Sequence, residues 1–337
     1  MKIRAVALGA VLVLTLGACG SKSEESGPDI GDKTTITQIS PRTGTEIEGG
    51  APENPVVVVT IDNTRPAAPQ TGIDKADMVV EQTVEGGATR LAVLYWTNTP
   101  TEVGHVRSMR ATDIGIAKPA NGQIAASGGA GVTINRISKA GIKIHSHDDG
   151  STGFRRGPGR APYNVLLDLD ALAGATQGPG PSRPYFQWEN GEKDAGTASP
   201  EATEEENAPT PKTATEASVR FSPQHTTQWK LDGGVWKRTN GTSQPEFGAE
   251  NLIVIYAPQR DAGYRDPAGS PVPETYFAGN GKYELFDGEN YTTGKWAKAE
   301  VSSTIVLSDG SGNVVKMPAG KTWIELVNSD MGSVTVK

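Results

Sequence analysis

The sequence predicts an α+β fold: an N-terminal mixed α/β domain with antiparallel strands, followed by a mostly β C-terminal domain. Three observations predict it. Continuous β-branched runs, such as Val56-Val57-Val58-Val59-Thr60-Ile61, read as buried strands. Gly-Gly and Asp-Gly pairs interrupt the apolar runs at hairpin spacing. Stretches with helical spacing fall between strands in the first half of the folded chain and not in the second.

The chain opens on a targeting segment. Lys2 and Arg4 supply positive charge, and residues 5–16 form an apolar core too short to span a bilayer comfortably. Leu16-Gly17-Ala18-Cys19 then reads as a bacterial lipobox. Residues 1–19 are therefore expected to be a lipoprotein signal peptide, with Cys19 the site of lipidation. The expected address is extracytoplasmic, lipid-anchored to the cell membrane. Residues 20–54 are polar and rich in Ser, Thr, Gly, Glu and Pro, and read as a flexible tether.

The N-terminal domain is expected over 55–188. A strand over 56–62 runs into a proline-containing loop, and 73–77 makes one helical turn. Strands over 78–85 and 89–96 form a hairpin around Gly86-Gly87. A helix over 108–118 stops near Pro119, and a short strand over 123–127 precedes Gly128-Gly129. Residues 132–140 read as helix, 143–145 as an edge strand and 164–172 as helix.

Residues 189–218 form an acidic low-complexity insert, too polar to bury a core. The β-rich C-terminal domain covers 219–337. Its hairpins turn at Asp232-Gly233-Gly234, Asp287-Gly288 and Asp309-Gly310, with a strand over 251–257 and a last strand over 322–327. A small barrel or sandwich fits this pattern.

Cys19 is the single cysteine, so the body beyond it has neither a disulfide nor a thiolate metal site. A net charge of −7 argues against nucleic acid as a partner. Ser127-Gly128-Gly129-Ala130-Gly131 lacks the lysine of a phosphate-binding loop and the spacing of a dinucleotide fingerprint, and no cofactor is expected.

Several polar motifs carry a resemblance. They are Asp62-Asn63-x-x-x-Ala67-x-Pro69-Gln70-x-Gly72, Glu81-x-x-x-Glu85-Gly86-Gly87-x-Thr89-Arg90 and Gly104-x-Val106-Arg107-Ser108-x-Arg110. Arg160-Ala161-Pro162-x-Asn164, Gly294-x-Trp296 and Gly320-Lys321-Thr322-Trp323 extend it into both halves. The chain resembles the YerB-like family of bacterial envelope lipoproteins, whose function is unknown. The resemblance implies two domains and a lipid anchor, and brings no reaction with it. The acidic insert and the Gly-rich stretch 155–159 depart from the family pattern.

The candidate residues follow from their chemistry. Asp62 and Asn63 sit just past a buried strand, where functional groups and simple turns are both common. Glu81 and Glu85 share a strand face at about 13 Å spacing, too far apart for a retaining carboxylate pair. Asp62, Glu81 and Glu85 are the carboxylates available for acid/base work. Arg90, Arg107 and Arg110, with Ser108 at a helix start, resemble an anion cradle, the alternative being ion pairs with the glutamates. Ser127, Gly128, Arg160 and Asn164 complete the candidate ligand-binding set. His145 and His147 are weak metal candidates beside Asp149.

The expected function is to bind an anionic cell-envelope ligand through an Arg/Asp/Glu-lined site in the N-terminal domain. One alternative is an envelope-polymer hydrolase or lyase using Asp62 or Glu85. The other is a protein–protein adaptor docking an envelope protein through the β domain.

Overall fold

The computed structural model describes residues 38–190 and 212–337. The signal peptide, Cys19 and the first part of the tether lie outside the described residues, as does most of the acidic insert. Twelve strands form one mixed sheet. Its middle is the Thr322–Asn328 strand, which runs parallel to Asn251–Ala257 on one side and to Met78–Thr83 on the other. Beyond Met78–Thr83 lie Thr89–Tyr95, Val57–Asp62, Gln123–Ala126 and Ile144–Ser146 in that order. The C-terminal segment thus closes a sheet begun by the N-terminal one. The central strands are buried along their whole length, as expected of strands covered on both faces.

Alternation along these strands sorts side chains into two cores. Val58, Val80, Leu94, Ile324 and Leu326 face one side, where Ile116, Ile137, Tyr185, Phe186 and Trp188 cover them. Val59, Ile61, Val79, Val93, Trp323 and Val327 face the other, against Phe221, Trp229 and Trp236. That second cover is a four-stranded antiparallel sheet of Val235–Arg238, His225–Asp232, Glu216–Ser222 and Ser333–Val336. Trp229 meets Trp323 edge to face at 5.2 Å, an arrangement favoured by the ring quadrupoles.

The fold is strand-rich, and its α-helices among the described residues are short. Asp113–Ala117, Gly131–Lys139 and Leu169–Ala175 all fall in the first segment. Several expected boundaries change. The 108–118 helix shrinks to Asp113–Ala117. Residues 107–109 are instead held by backbone bonds, Arg107 N–H donating to Thr60 and Met109 N–H to Gly128. The 164–172 helix becomes a strand, Val165–Leu167, pairing with Val103–Gly104 and Phe154–Arg156. The helix begins only after Asp168, whose carboxylate caps it by accepting from the Ala171 N–H at 2.9 Å.

The tether is shorter than its composition suggests. Gln38–Ile39 pairs with Glu46–Ile47, and Arg42 is buried with its guanidinium 5.5 Å from the Tyr185 ring. The insert also ends early, since Lys212–Thr213 pairs with Asn290–Lys298 and Glu216–Ser222 is a strand of the second sheet. The chain finishes on Ser333–Val336, one strand beyond 322–327.

Candidate functional site

Glu81 and Gln82 are consecutive on a strand, so they point to opposite faces of the central sheet. Each anchors a polar cluster at the same end of it. The cluster around Gln82 holds the expected arginines, and the cluster around Glu81 opens into a pocket.

On the Gln82 face the arginines are largely occupied. Arg107 Nε donates to Asp62 at 2.7 Å, and its guanidinium lies 5.0 Å from the Tyr163 ring. Arg110 grips Glu85 with two nitrogens, Nε at 2.9 Å and Nη2 closer. Burial opposes ionisation of Glu85, but the Arg110 contact outweighs it and holds the carboxyl below its usual range. Arg90 is buried and donates to the Ser108 carbonyl at 2.8 Å. Burial and the neighbouring Arg110 charge lower it to about 10. Ser108 thus contributes its backbone and starts no helix. Glu85 leaves the strand for the Glu85–Gly87 turn, so it does not share a strand face with Glu81. The cradle is an internal ion-pair network.

The other expected residues divide between scaffold and surface. Ser127 donates its N–H to Arg107, and a side chain at Gly128 would meet the Asp148 carboxylate at 2.0 Å. Asn164 secures the Gly-rich loop, donating to the Gly157 and Gly159 carbonyls at 3.1 Å each. Arg160 is exposed. His145 is turned to Gln123 at 2.7 Å, and burial lowers it to about 4, which keeps it neutral. His147 sits 3.3 Å from Asp148. Among the described residues no three His, Cys, Asp or Glu side chains come together as a metal site.

On the Glu81 face, a pocket of about 770 Å³ lies between the loops at 63–68 and 86–89 and the second sheet. Amide and hydroxyl side chains, Asn63, Thr89, Gln224, Thr227, Asn240 and Thr242, alternate along its wall with Ala68, Gly86, Ala88 and Gly241. Arg65 also lines it, exposed, and its guanidinium has no hydrogen-bond or ion-pair partner among the described residues. Arg238 lines it too, but is held by Glu246 at 2.8 Å and by Asn63 at 3.0 Å, and lies 4.5 Å from the Trp323 ring.

Fully buried Glu81 lies beside the pocket wall. His225 Nε2 is 2.7 Å from its Oε1, with Thr89 at 2.7 Å, Asn63 at 3.0 Å and Thr227 at 3.1 Å. Burial opposes the charge, yet the His225 contact, the Arg238 charge and the Thr89 hydroxyl outweigh it, holding Glu81 below the usual carboxylate range. Its neighbour across the parallel strand pair is Glu325, also fully buried, which accepts from Trp229 Nε1 at 2.5 Å. Burial and the charge of Glu81 push Glu325 well up, so it stays protonated. Two side-by-side carboxyls in one core cannot both ionise.

Sequence reading picked out Asn63 and Glu81 but missed His225, Arg65 and Glu325. Glu325 did carry a signal, a lone carboxylate inside the apolar run Trp323-Ile324-Glu325-Leu326-Val327. His225 carried none, being 144 residues from its partner.

Fold and site together define a strand-rich, two-domain protein with a polar pocket walled by both segments. Residues 42–182 match the family model described as "Protein of unknown function (DUF3048) N-terminal domain", and residues 217–324 match its C-terminal counterpart. The chain is 29% identical over 143 residues to the "Putative lipoprotein YerB" of Bacillus subtilis (strain 168). That alignment takes in 42% of this chain and 43% of the relative, less than half of each. The crystal structure of the YerB protein from Bacillus subtilis shares the fold, with a TM-score of 0.69 at 20% identity over 88% of this chain and 99% of that one. The chain belongs to the YerB-like family.

Proposed function

We propose that this protein is an extracytoplasmic lipoprotein, anchored through Cys19, whose pocket binds an anionic, hydroxyl- and amide-rich segment of a cell-envelope polymer. The observation that carries this is the Arg65 guanidinium, without a partner among the described residues, beside the exposed Gln224 amide and the Thr242 hydroxyl. Such groups offer donors and acceptors to a sugar or polyol, and a free guanidinium suits a phosphate or carboxylate. The proposed site therefore moves from Arg90, Arg107 and Arg110 to the pocket. An envelope address also supplies such polymers in quantity.

The test is sedimentation of the soluble chain with purified wall polymer carrying anionic groups. Arg65→Ala and Gln224→Ala should each weaken retention by roughly 5- to 50-fold, the range of one or two hydrogen bonds to a charged group. Arg107→Ala should lower stability instead. Undiminished retention in both pocket variants would refute the assignment.

A second reading, hydrolysis, is favoured by one observation, the contact between Glu81 and His225 on the pocket wall.

A further inference from the structure

We propose that Glu81 and His225 form the general base of a hydrolytic site that cleaves an O-acyl ester on the polyol or sugar held in the pocket. The proposal rests on the pocket being the ligand site. His225 lines that pocket, and its Nε2 is committed to Glu81 at 2.7 Å. With Nε2–H donating to the carboxylate, Nδ1 is the basic nitrogen, and it has no partner among the described residues. This is the orientation in which a buried carboxylate fixes the tautomer of a base and steadies the imidazolium that forms.

The surroundings are built for that charge. Glu81 is held by four side chains, and the groups facing it are all accounted for: Arg238 beside it, itself held by Glu246, and Glu325 protonated behind it. Burying two carboxyls side by side in a central sheet costs stability, and an apolar pair would fill the space more favourably. Such a cost is common where chemistry needs pKa values pushed apart.

The step balances without any further reactant. Nδ1 takes a proton from water as the oxygen attacks the ester carbonyl. The tetrahedral intermediate then expels the sugar or polyol oxygen, which takes the proton back from the imidazolium. A carboxylic acid and a free hydroxyl leave. His225 is the catalytic residue and Glu81 a positioning residue.

The experiment uses the soluble chain with three probes: an O-acetylated amino-sugar disaccharide, an alanyl ester of glycerol phosphate, and glycerol monoacetate. Acid release is followed by NMR. The expected result is release from at least one probe. His225→Ala should lose about 10²–10⁴-fold in kcat, the usual contribution of a positioned base. Free imidazole should restore part of that loss, which no structural role would allow. Glu81→Gln should lower kcat with KM unchanged. Should Glu81→Gln fail to fold, His225→Ala with imidazole decides alone, with circular dichroism checking its fold. Release from none of the probes by protein that still sediments with wall polymer would overturn hydrolysis and leave binding standing. Release that survives in His225→Ala would overturn the base assignment, and loss of both release and sedimentation would overturn both readings.

Discussion

Glu81 and Glu325 show how one row of a sheet can hold two carboxyls in opposite states. The same burial acts on both, but His225, Thr89, Asn63 and Thr227 all bond to Glu81, while Glu325 accepts from Trp229 and faces the Glu81 charge. Linkage gives the two opposite signs. Glu81, lowered in the fold, contributes stability above the unfolded value of about 4.3, and this is lost as pH falls through its folded value. Glu325, raised in the fold, contributes fully below about 4.3, and this is lost as pH rises toward its folded value. Glu325→Gln keeps the neutral form and accepts the Trp229 bond. Its melting temperature should exceed the wild type at pH 8 and converge on it near pH 4. A gap of a few degrees would correspond to about 1–2 kcal/mol. Thermal melts from pH 4 to 8 would measure it, and a gap widening toward acid would reverse the assignment.

Elements were legible where local chemistry decided them. The Val57–Asp62 run, the Gly-turned hairpin of Met78–Thr83 with Thr89–Tyr95, and the Asn251–Ala257 strand lie within a residue or two of where the sequence put them. Misreadings came where tertiary partners outbid spacing. Residues 107–109 carry a helix-like pattern, yet their backbone bonds go to Thr60, Gly128 and Ser127, and Val165–Leu167 is claimed by two flanking strands. Of the pocket, only Asn63 and Glu81 were visible, because its other wall comes from a segment far along the chain. Close strand approach is also set by glycine. A side chain on Gly294, within Asn290–Lys298, would sit 2.0 Å from the Ser308 carbonyl oxygen. Gly294→Ala should therefore cost about 1–3 kcal/mol by prying that strand from Val306–Ser308. The urea midpoint would report it, and an unchanged midpoint would show that the ladder yields.

At the scale of the molecule, one twelve-stranded sheet takes strands from both family domains. Thr322–Asn328 is parallel to both of its neighbours, so neither segment has a complete central sheet without the other. Fragments 38–190 and 212–337, expressed together, should co-purify as a soluble complex. Fragment 38–190 alone should aggregate, because the Met78–Thr83 edge is left long, apolar and unpaired. A soluble, cooperatively melting 38–190 fragment would contradict this. The same placement bears on the order of folding. Met78–Thr83 and Thr322–Asn328 pair directly, although most of the chain lies between them. A chain made from its N-terminus therefore holds one edge of Met78–Thr83 open until the distant strand arrives, and pairings of such long separation form slowly. The middle of the sheet is the seam that closes late.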